Sequence, residues 1–370
     1  MLKITLTKAF IAASLMGATM LAFADSRFSP SVAGGGGSAS ARVLAQWSFL
    51  FAKENNIQVN YAASNSRAGL RDISDRKVDF ALTEIPMSQE EVVSRGLIQM
   101  PLLVGGVTPV VNVPGVAPGA LRLNAALLAR IYLGELHYWN DDEIRAANPG
   151  LNLPKLAIKP VVRDGASGTT KTFTTYLAGA DARWASRMGA SEAPAWPVPV
   201  AKAATTSAMT EQVHGTPGAI GYIALDEALR AKLAYVQLRN RSGRYVAPSV
   251  SSISAAIMMS GLGQGGSQAA SLIDVTGEAT WPIGEVTYVL FERKARQADR
   301  ARTSLRFLYW AQLRGDQFAA DAGFAPLPAS IQAKNIALFR DVMGPDGAPL
   351  DFLAMRARLL ALVGQPVTRS

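Results

Sequence analysis

Short apolar runs alternate with amphipathic stretches along most of the chain, and this alternation predicts an α/β fold. Apolar residues at helical spacing, such as Val43, Trp47, Leu50 and Phe51, predict helices. Further helices are expected around Leu70 and Ile73, over 121–132, through Phe173, Tyr176 and Leu177, and through Leu305, Leu308 and Tyr309. Strands are predicted at 58–61, 78–82, 102–113, 161–163, 219–224, 233–238 and 286–291.

Two of the predicted strands suggest a chain divided into two lobes. The run 102–113 has the length and composition of a strand buried on both faces or crossing between lobes. The run 286–291 is placed to return the chain to the first lobe. With 49% hydrophobic residues, a chain of 370 residues can fill one large core or two ordinary ones. A Gly- and Ser-rich stretch at 261–267 is expected to form a surface loop.

The first 24 residues have the features of a secretory signal peptide. Lys3 and Lys8 precede an uncharged apolar run, which ends in the small-x-small sequence Ala22-Phe23-Ala24. A membrane anchor is the alternative, but it needs about 20 apolar residues, and this run is shorter. No cysteine is present to carry a lipid, so the mature protein is expected to be free in the periplasm of a Gram-negative bacterium.

Composition excludes some classes of protein and favours an anionic ligand. The absence of cysteine rules out a disulfide-stapled scaffold and a thiolate metal site. The net charge is +9, and it falls to +7 when Lys3 and Lys8 are removed with the leader. Basic residues are scattered rather than clustered, so nucleic-acid binding is not expected.

Three loops share one arrangement, in which an extended segment is followed by small or hydroxyl residues and then by a helix. They lie at 34–40, 64–69 and 163–170. Small residues let the backbone approach a ligand, and the first turn of a helix offers free N–H groups to an anion. Any one loop alone is more simply a helix cap, but the repetition, with Arg163 in one copy, favours an oxyanion site.

Glu84 follows the predicted strand 78–82 and is either a solvated loop residue or part of this site. A carboxylate facing an anion must accept a proton from it, because two unprotonated anions repel each other. Such a site selects hydrogen phosphate over fully ionised sulfate.

Catalysis has little support in the sequence. His137 and His214 are the only histidines, and neither has metal-ligand spacing; His137 is expected to pack or end a helix and His214 to cap one. Ser167 is not in a Gly-x-Ser-x-Gly elbow because Thr169 occupies the last position. We therefore expect a binding protein without metal or cofactor.

Several phrases, in their order and spacing, resemble the periplasmic phosphate-binding proteins (PstS type) of phosphate ABC transporters. The resemblance covers essentially the whole mature chain, and each phrase alone is weak. The phrases are Val59-Asn60-Tyr61, Val78-Asp79-Phe80, Val104-Gly105-Gly106-Val107, Ile131-Tyr132-Leu133-Gly134, Trp139-Asn140-Asp141, Ser167-Gly168-Thr169, Pro217-Gly218-Ala219-Ile220-Gly221-Tyr222 and Trp281-Pro282-Ile283.

The resemblance implies a type II periplasmic-binding-protein fold of two α/β lobes joined by two crossing strands. Lobe I is expected to comprise 25–107 and 284–370, and lobe II 108–283, after a signal peptide at 1–24. It also implies capture of inorganic phosphate between the lobes, delivery to an inner-membrane ABC permease, and a monomer. A different oxyanion or small acid, or a signalling or surface role on the same scaffold, is the alternative.

The family's phosphate ligands map onto eight positions. Hydrogen-bond donors are implied at seven of the eight, with Arg163 also supplying charge and Glu84 instead accepting the proton of the ligand. The eight positions are Ser38, Ala39, Ser66, Glu84, Arg163, Ser167, Gly168 and Thr169.

Four residues depart from the family pattern. Glu84 replaces an Asp, and Ala39 replaces an aromatic residue and so opens space. Arg67 either adds positive charge at the rim or fills part of the site. Asp164 is displaced by one residue from the Asp that orients the arginine in the family, and a changed turn is needed for it to take that role.

Overall fold

The computed structural model describes residues 31–262 and 270–353, and within them it contains strands in two sheets. The strands are β1 Ser31–Gly37, β2 Gln58–Ser64, β3 Phe80–Thr83, β4 Leu97–Val111, β5 Arg122–Leu123, β6 Lys159–Arg163, β7 Ala201–Ala203, β8 Ala219–Ala224, β9 Ala234–Tyr235, β10 Gln237–Arg239, β11 Tyr245–Val246 and β12 Gly284–Glu292.

Helices cover the sheet and connect its strands. They are α1 Ala41–Asn55, α2 Ser66–Ser74, α3 Gln89–Ser94, α4 Ala125–Tyr132, α5 Asp142–Ala147, α6 Gly168–Ala180, α7 Ala182–Arg187, α8 Thr206–Gly215, α9 Leu225–Arg230, α10 Val250–Ser260, α11 Ala298–Trp310, α12 Asp316–Asp321 and α13 Ala329–Ala337, with a π-helical turn at Ala311–Gly315 and a 3₁₀ turn at Leu338–Asp341. Among the described residues, no helix has the length and apolar character needed to cross a membrane.

The large sheet has nine strands, eight of them in the order β2-β1-β3-β12-β4-β8-β6-β7, and β9 pairs with β4. β1 pairs in parallel with β2 and β3, and β6 pairs in parallel with β7 and β8. The carboxyl ends of these parallel strands lead into α1, α2 and α6, which is the usual place for a ligand in an open α/β sheet.

The 15-residue strand β4 joins the two parts of this sheet. Its first part, Leu97 to Gly106, pairs with β12, and its second part, from Val107 onward, pairs with β8. The chain returns to the first part of the sheet beside β4, just before β12 begins, and here the Val107 N–H donates to the Ile283 carbonyl at 2.9 Å. Almost every residue of β4 and β12 is buried, as expected for strands covered on both faces.

The structure corrects the boundaries of two predicted elements. The predicted helix 121–132 begins only at Ala125, because Asn124 caps it by accepting from the Leu127 N–H at 2.8 Å. The predicted strand 233–238 is two short strands, β9 and β10, in different sheets. The expected leader 1–24 and residues 263–267 of the expected loop lie outside the described residues.

Separate hydrophobic clusters lie under the two parts of the large sheet. In one cluster Phe307 contacts Phe51 and Phe80, with ring centroids 5.3 and 5.7 Å apart. In the other, Phe173 stacks on Tyr222 at 4.4 Å. Since Phe80 lies in β3 and Phe173 in α6, each cluster supports an element that leads to the proposed anion site.

Replacing Phe307 by Ala should destabilise the protein by about 3–5 kcal/mol, because it leaves a cavity among packed aromatic rings. Phe49→Ala is the matched control, since Phe49 is 68% exposed, and its effect should stay within about 0.5 kcal/mol. Urea unfolding followed by tryptophan fluorescence measures both. Equal effects of the two substitutions would contradict the assignment of Phe307 to the core.

Candidate functional site

The three predicted loops meet at one place in the structure. Ser38 follows β1, Ser66 is the first residue of α2, and Ser167 caps α6. The Ser38 and Thr206 hydroxyl oxygens lie 3.2 Å apart, and the Thr206 N–H donates to the Ser38 hydroxyl at 3.3 Å. Thr206 belongs to α8, so the two sides of the cleft are in direct contact.

Glu84 lies at the centre of this meeting point and is only 7% exposed. The Ser66 hydroxyl donates to Oε2 of Glu84, and the Glu84 N–H donates to the Ser66 hydroxyl at 3.4 Å. A Cβ added to Gly37 or to Gly168 would lie 2.5 Å from Oε2 of Glu84. Both positions therefore need glycine, because the backbone of each passes directly beside the carboxylate.

Opposing effects act on the pKa of the Glu84 carboxyl. Burial raises its pKa, while the hydrogen bond from Ser66 and the positive charge of Arg163 oppose that rise. Oε1 of Glu84 is buried with no hydrogen-bond partner in the described part of the chain. A buried acceptor of this kind is suited to a ligand that brings its own proton.

Arg163 ends β6 and carries a buried charge, with 5% of the residue exposed. Its Nη1 donates to Ser167 Oγ at 3.2 Å and its Nη2 to the Ala204 carbonyl at 2.7 Å. Nε is buried without a partner, and no Asp or Glu within 31–262 and 270–353 forms an ion pair with the guanidinium. Burial lowers the pKa of Arg163, so the site would be stabilised by an added negative charge.

Ser167 and the start of α6 provide further donors. Ser167 Oγ accepts from the Thr170 N–H at 3.3 Å and from Arg163, which leaves its own O–H free to donate. The N–H groups of Gly168 and Thr169 belong to the first helical turn and have no carbonyl one turn earlier to bond. The α6 dipole adds to the preference of this end for an anion.

Asp164 does not orient Arg163 in place of the family's Asp. Arg163 is the last residue of β6 and points inward, whereas Asp164 lies in the bend that follows the strand. The Asp164 side chain is 61% exposed and lies 3.7 Å from the Lys202 amine. Ser167 and the Ala204 carbonyl hold the guanidinium instead.

Arg67 neither fills the site nor leaves a free charge at its rim. Its guanidinium makes two hydrogen bonds to the Glu192 carboxylate, at 2.7 and 3.1 Å. Glu192 lies on the side of the cleft that carries α6, and its carbonyl accepts from the Ser167 N–H at 3.0 Å. Arg67 therefore forms an ion pair across the mouth of the cleft.

Other residues meet expectation only in part. Ala39 is buried in the turn between β1 and α1 and brings no polar side chain. His137 is exposed and lies outside any helix, so the predictions that it packs in the core or ends a helix are wrong. Its backbone N–H donates to the Asp141 carboxylate at 2.8 Å, which holds this segment in a turn. His214 lies in the last turn of α8 and the C-cap is Thr216, so the expectation that His214 caps the helix is wrong.

Sequence reasoning missed several residues around the site. The Tyr222 hydroxyl contacts Thr170 Oγ1 at 2.9 Å and accepts from the Arg163 N–H at 3.4 Å, so it connects α6 to β6. Thr206, described above, was also missed. Glu285 is a buried carboxyl in β12 that interacts electrostatically with Glu84 and Arg163. A carboxylate within an otherwise apolar strand was a signal that could have identified it.

Comparison with known proteins places the chain in a family. A model of the PBP superfamily domain matches residues 23–312. The phosphate-binding protein PstS of Xylella fastidiosa (strain 9a5c) is 33% identical over 308 residues, which cover 83% of this chain and 84% of that protein. PstS of Haemophilus influenzae is 32% identical over 301 residues, covering 81% of this chain and 90% of that protein.

Solved structures show the same fold at lower identity. The phosphate-binding protein from Stenotrophomonas maltophilia has a TM-score of 0.62 at 19% identity, covering 83% of this chain and 93% of that one. The high-affinity periplasmic phosphate-binding protein PfluDING, solved with phosphate bound at pH 8.5, has a TM-score of 0.65 at 18% identity and the same coverage. These likenesses confirm the predicted two-lobe periplasmic-binding-protein fold. The chain therefore belongs to the PBP superfamily and, within it, to the PstS-type phosphate-binding proteins.

Proposed function

We propose that this protein captures inorganic phosphate in the cleft around Arg163 and Glu84 and delivers it to an ABC transporter. The observation that carries the proposal is the buried Arg163 charge with no carboxylate partner in the described chain. A buried charge is costly unless it is paired, so the site is suited to bind an anion. The names of the relatives and of the solved neighbours identify that anion as phosphate.

Each candidate residue has a role that its geometry supports. Arg163 supplies charge and the unpartnered Nε–H. Ser167 supplies its free O–H, and Gly168 and Thr169 supply the backbone N–H groups of the α6 start. Across the cleft Ser66 and Ser38 add hydroxyl groups, and the Ala39 N–H completes the set at the start of α1.

Glu84 gives the site its selectivity. Its carboxylate accepts the proton that phosphate still carries near neutral pH, and fully ionised sulfate has no proton to offer. A bound sulfate would instead place two negative oxygens against each other in a buried cleft, which costs several kcal/mol.

The crossing strands support a hinge between the two lobes. We propose lobe I as 25–107 with 284–370 and lobe II as 108–283, supported by the exchange of strand partners along β4 between Gly106 and Val107. Closing the hinge around phosphate would present one surface to an inner-membrane permease. The proposal includes a mature, monomeric protein in the periplasm, released by cleavage of the 1–24 leader, without nucleic-acid partner or catalytic activity.

Replacing Arg163 by Met should weaken phosphate binding by about 2–5 kcal/mol, roughly 30- to several-thousand-fold, because a buried charge-assisted pair is lost. Arg145→Met removes the same charge from the exposed helix α5 and should leave affinity unchanged. Isothermal titration measures both variants. Phosphate binding by Arg163→Met at the affinity of the parent would refute the site.

Replacing Glu84 by Gln should reduce the preference for phosphate over sulfate by at least about tenfold, because the amide no longer repels an unprotonated anion. Competition of each anion against labelled phosphate gives the preference directly. Glu143→Gln is the control, since this carboxyl is 56% exposed and lies on α5. An unchanged preference would show that Glu84 does not accept the proton of the ligand.

The Arg67–Glu192 ion pair should contribute only about 0.2–1 kcal/mol to closure, because both side chains are partly exposed. A double-mutant cycle of Arg67→Ala and Glu192→Ala, with phosphate affinity as readout, measures this coupling. The coupling should shrink as salt rises. A coupling of zero at low salt would contradict a role in closing the cleft.

A further inference from the structure

The cleft contains a second buried carboxyl group, which the residues carried over from the family do not include. Glu285 lies in β12, is 5% exposed and has an Oε1 with no hydrogen-bond partner in the described chain. Val286, next to it in the strand, and Ile283, just before the strand, are apolar core residues. An isolated carboxylate in such a place is strongly disfavoured.

Glu285 faces the same space as the phosphate ligands. Thr287 lies two residues further along the strand, on the same face, and its hydroxyl hydrogen-bonds the Glu84 carboxyl. The Thr172 side chain, one turn into α6, hydrogen-bonds Glu285 from the other side of the cleft. Glu285 also interacts with the charges of both Glu84 and Arg163.

Other ionisable groups lie on the elements packed against β12, and two of the cations among them have partners away from Glu285. β3 and β4 carry no ionisable side chain. Arg67 is paired with Glu192, and Lys171 donates to the Ala190 carbonyl. The other ionisable residues on β12 and on the helices packed against it are Arg71, Asp72, Tyr176, Tyr288 and Glu292.

One buried cation cannot balance two buried carboxylates and a phosphate. With both carboxyls ionised, the cleft would carry a net negative charge before the ligand arrived. Within the described chain both carboxyls keep an unpartnered Oε1, but Glu84 receives hydrogen bonds from Ser66 and Thr287 whereas Glu285 receives one from Thr172, so the proton resides on Glu285. Burial, followed by the charge of Glu84, raises the pKa of Glu285 to about 8.

We propose that Glu285 is a further binding and specificity-determining residue of the phosphate site, which functions in its protonated form and restricts phosphate capture to the pH range in which that form persists. As an acid it is neutral and offers an O–H donor beside the acceptor Glu84. Once ionised, it repels the ligand. The inference rests on the proposed function, because it concerns the same site.

The test compares the parent protein with Glu285→Gln, which keeps the shape and neutrality of the protonated acid. Phosphate is titrated into each by calorimetry from about pH 6 to about pH 9.5, and the ratio of the two Kd values is followed. The ionisation of phosphate itself affects both proteins equally and cancels in this ratio. Glu143→Gln serves as the matched control and should follow the parent at every pH.

The ratio of the Kd of the parent to that of Glu285→Gln should be constant near neutral pH and rise by about tenfold per pH unit above about 8. Parallel profiles throughout would overturn the inference while leaving the proposed function intact. If the parent binds no phosphate at neutral pH, the proposed function itself fails.

A second measurement does not depend on the fold of the variant. Titrations of the parent at about pH 8.5 in buffers of different ionisation enthalpy give the number of protons taken up with phosphate. We expect more proton uptake here than the ionisation of phosphate alone accounts for. Uptake fully explained by phosphate would overturn the role of Glu285.

Discussion

The buried guanidinium of Arg163 forms no ion pair within the described chain, and much of the surrounding structure holds it where a bound ligand can supply a negative charge. The side chain points inward at the end of β6, and Ser167 and the Ala204 carbonyl fix its plane. Asp164, the nearest carboxylate in sequence, lies in the bend after β6 and points to solvent. Neutral partners thus fix the position of the charge without neutralising it.

The second constraint is the close approach of the two sides of the cleft. Glu84 sits between Gly37 and Gly168, where any side chain would collide with the carboxylate. Parallel strands in both parts of the sheet aim the starts of α1, α2 and α6 at this point. The long strand β4 and its partner β12 bring these distant segments together, and β12 also brings Glu285 into the cleft.

Local sequence was enough to predict most elements and the three loops that meet. Helical spacing identified α1 and α6, because burial of one face determines that period, and continuous apolar runs identified β8 and β12, because these strands are covered on both faces. What failed depended on contacts distant in sequence or on turn geometry. The pairing of Arg67 with Glu192 and the place of Glu285 follow from how the lobes meet, which no local pattern encodes. The outward position of Asp164 follows from the bend after β6. The expected ligand roles of the eight site residues stay predictions.

The most direct test of the central claim is titration of phosphate and of sulfate into mature protein that has been unfolded and refolded to strip bound ligand. The arrangement of Arg163 and Glu84 predicts phosphate binding at about micromolar Kd or tighter and no heat from sulfate. Failure of phosphate to bind, or equal binding of sulfate, would contradict the account.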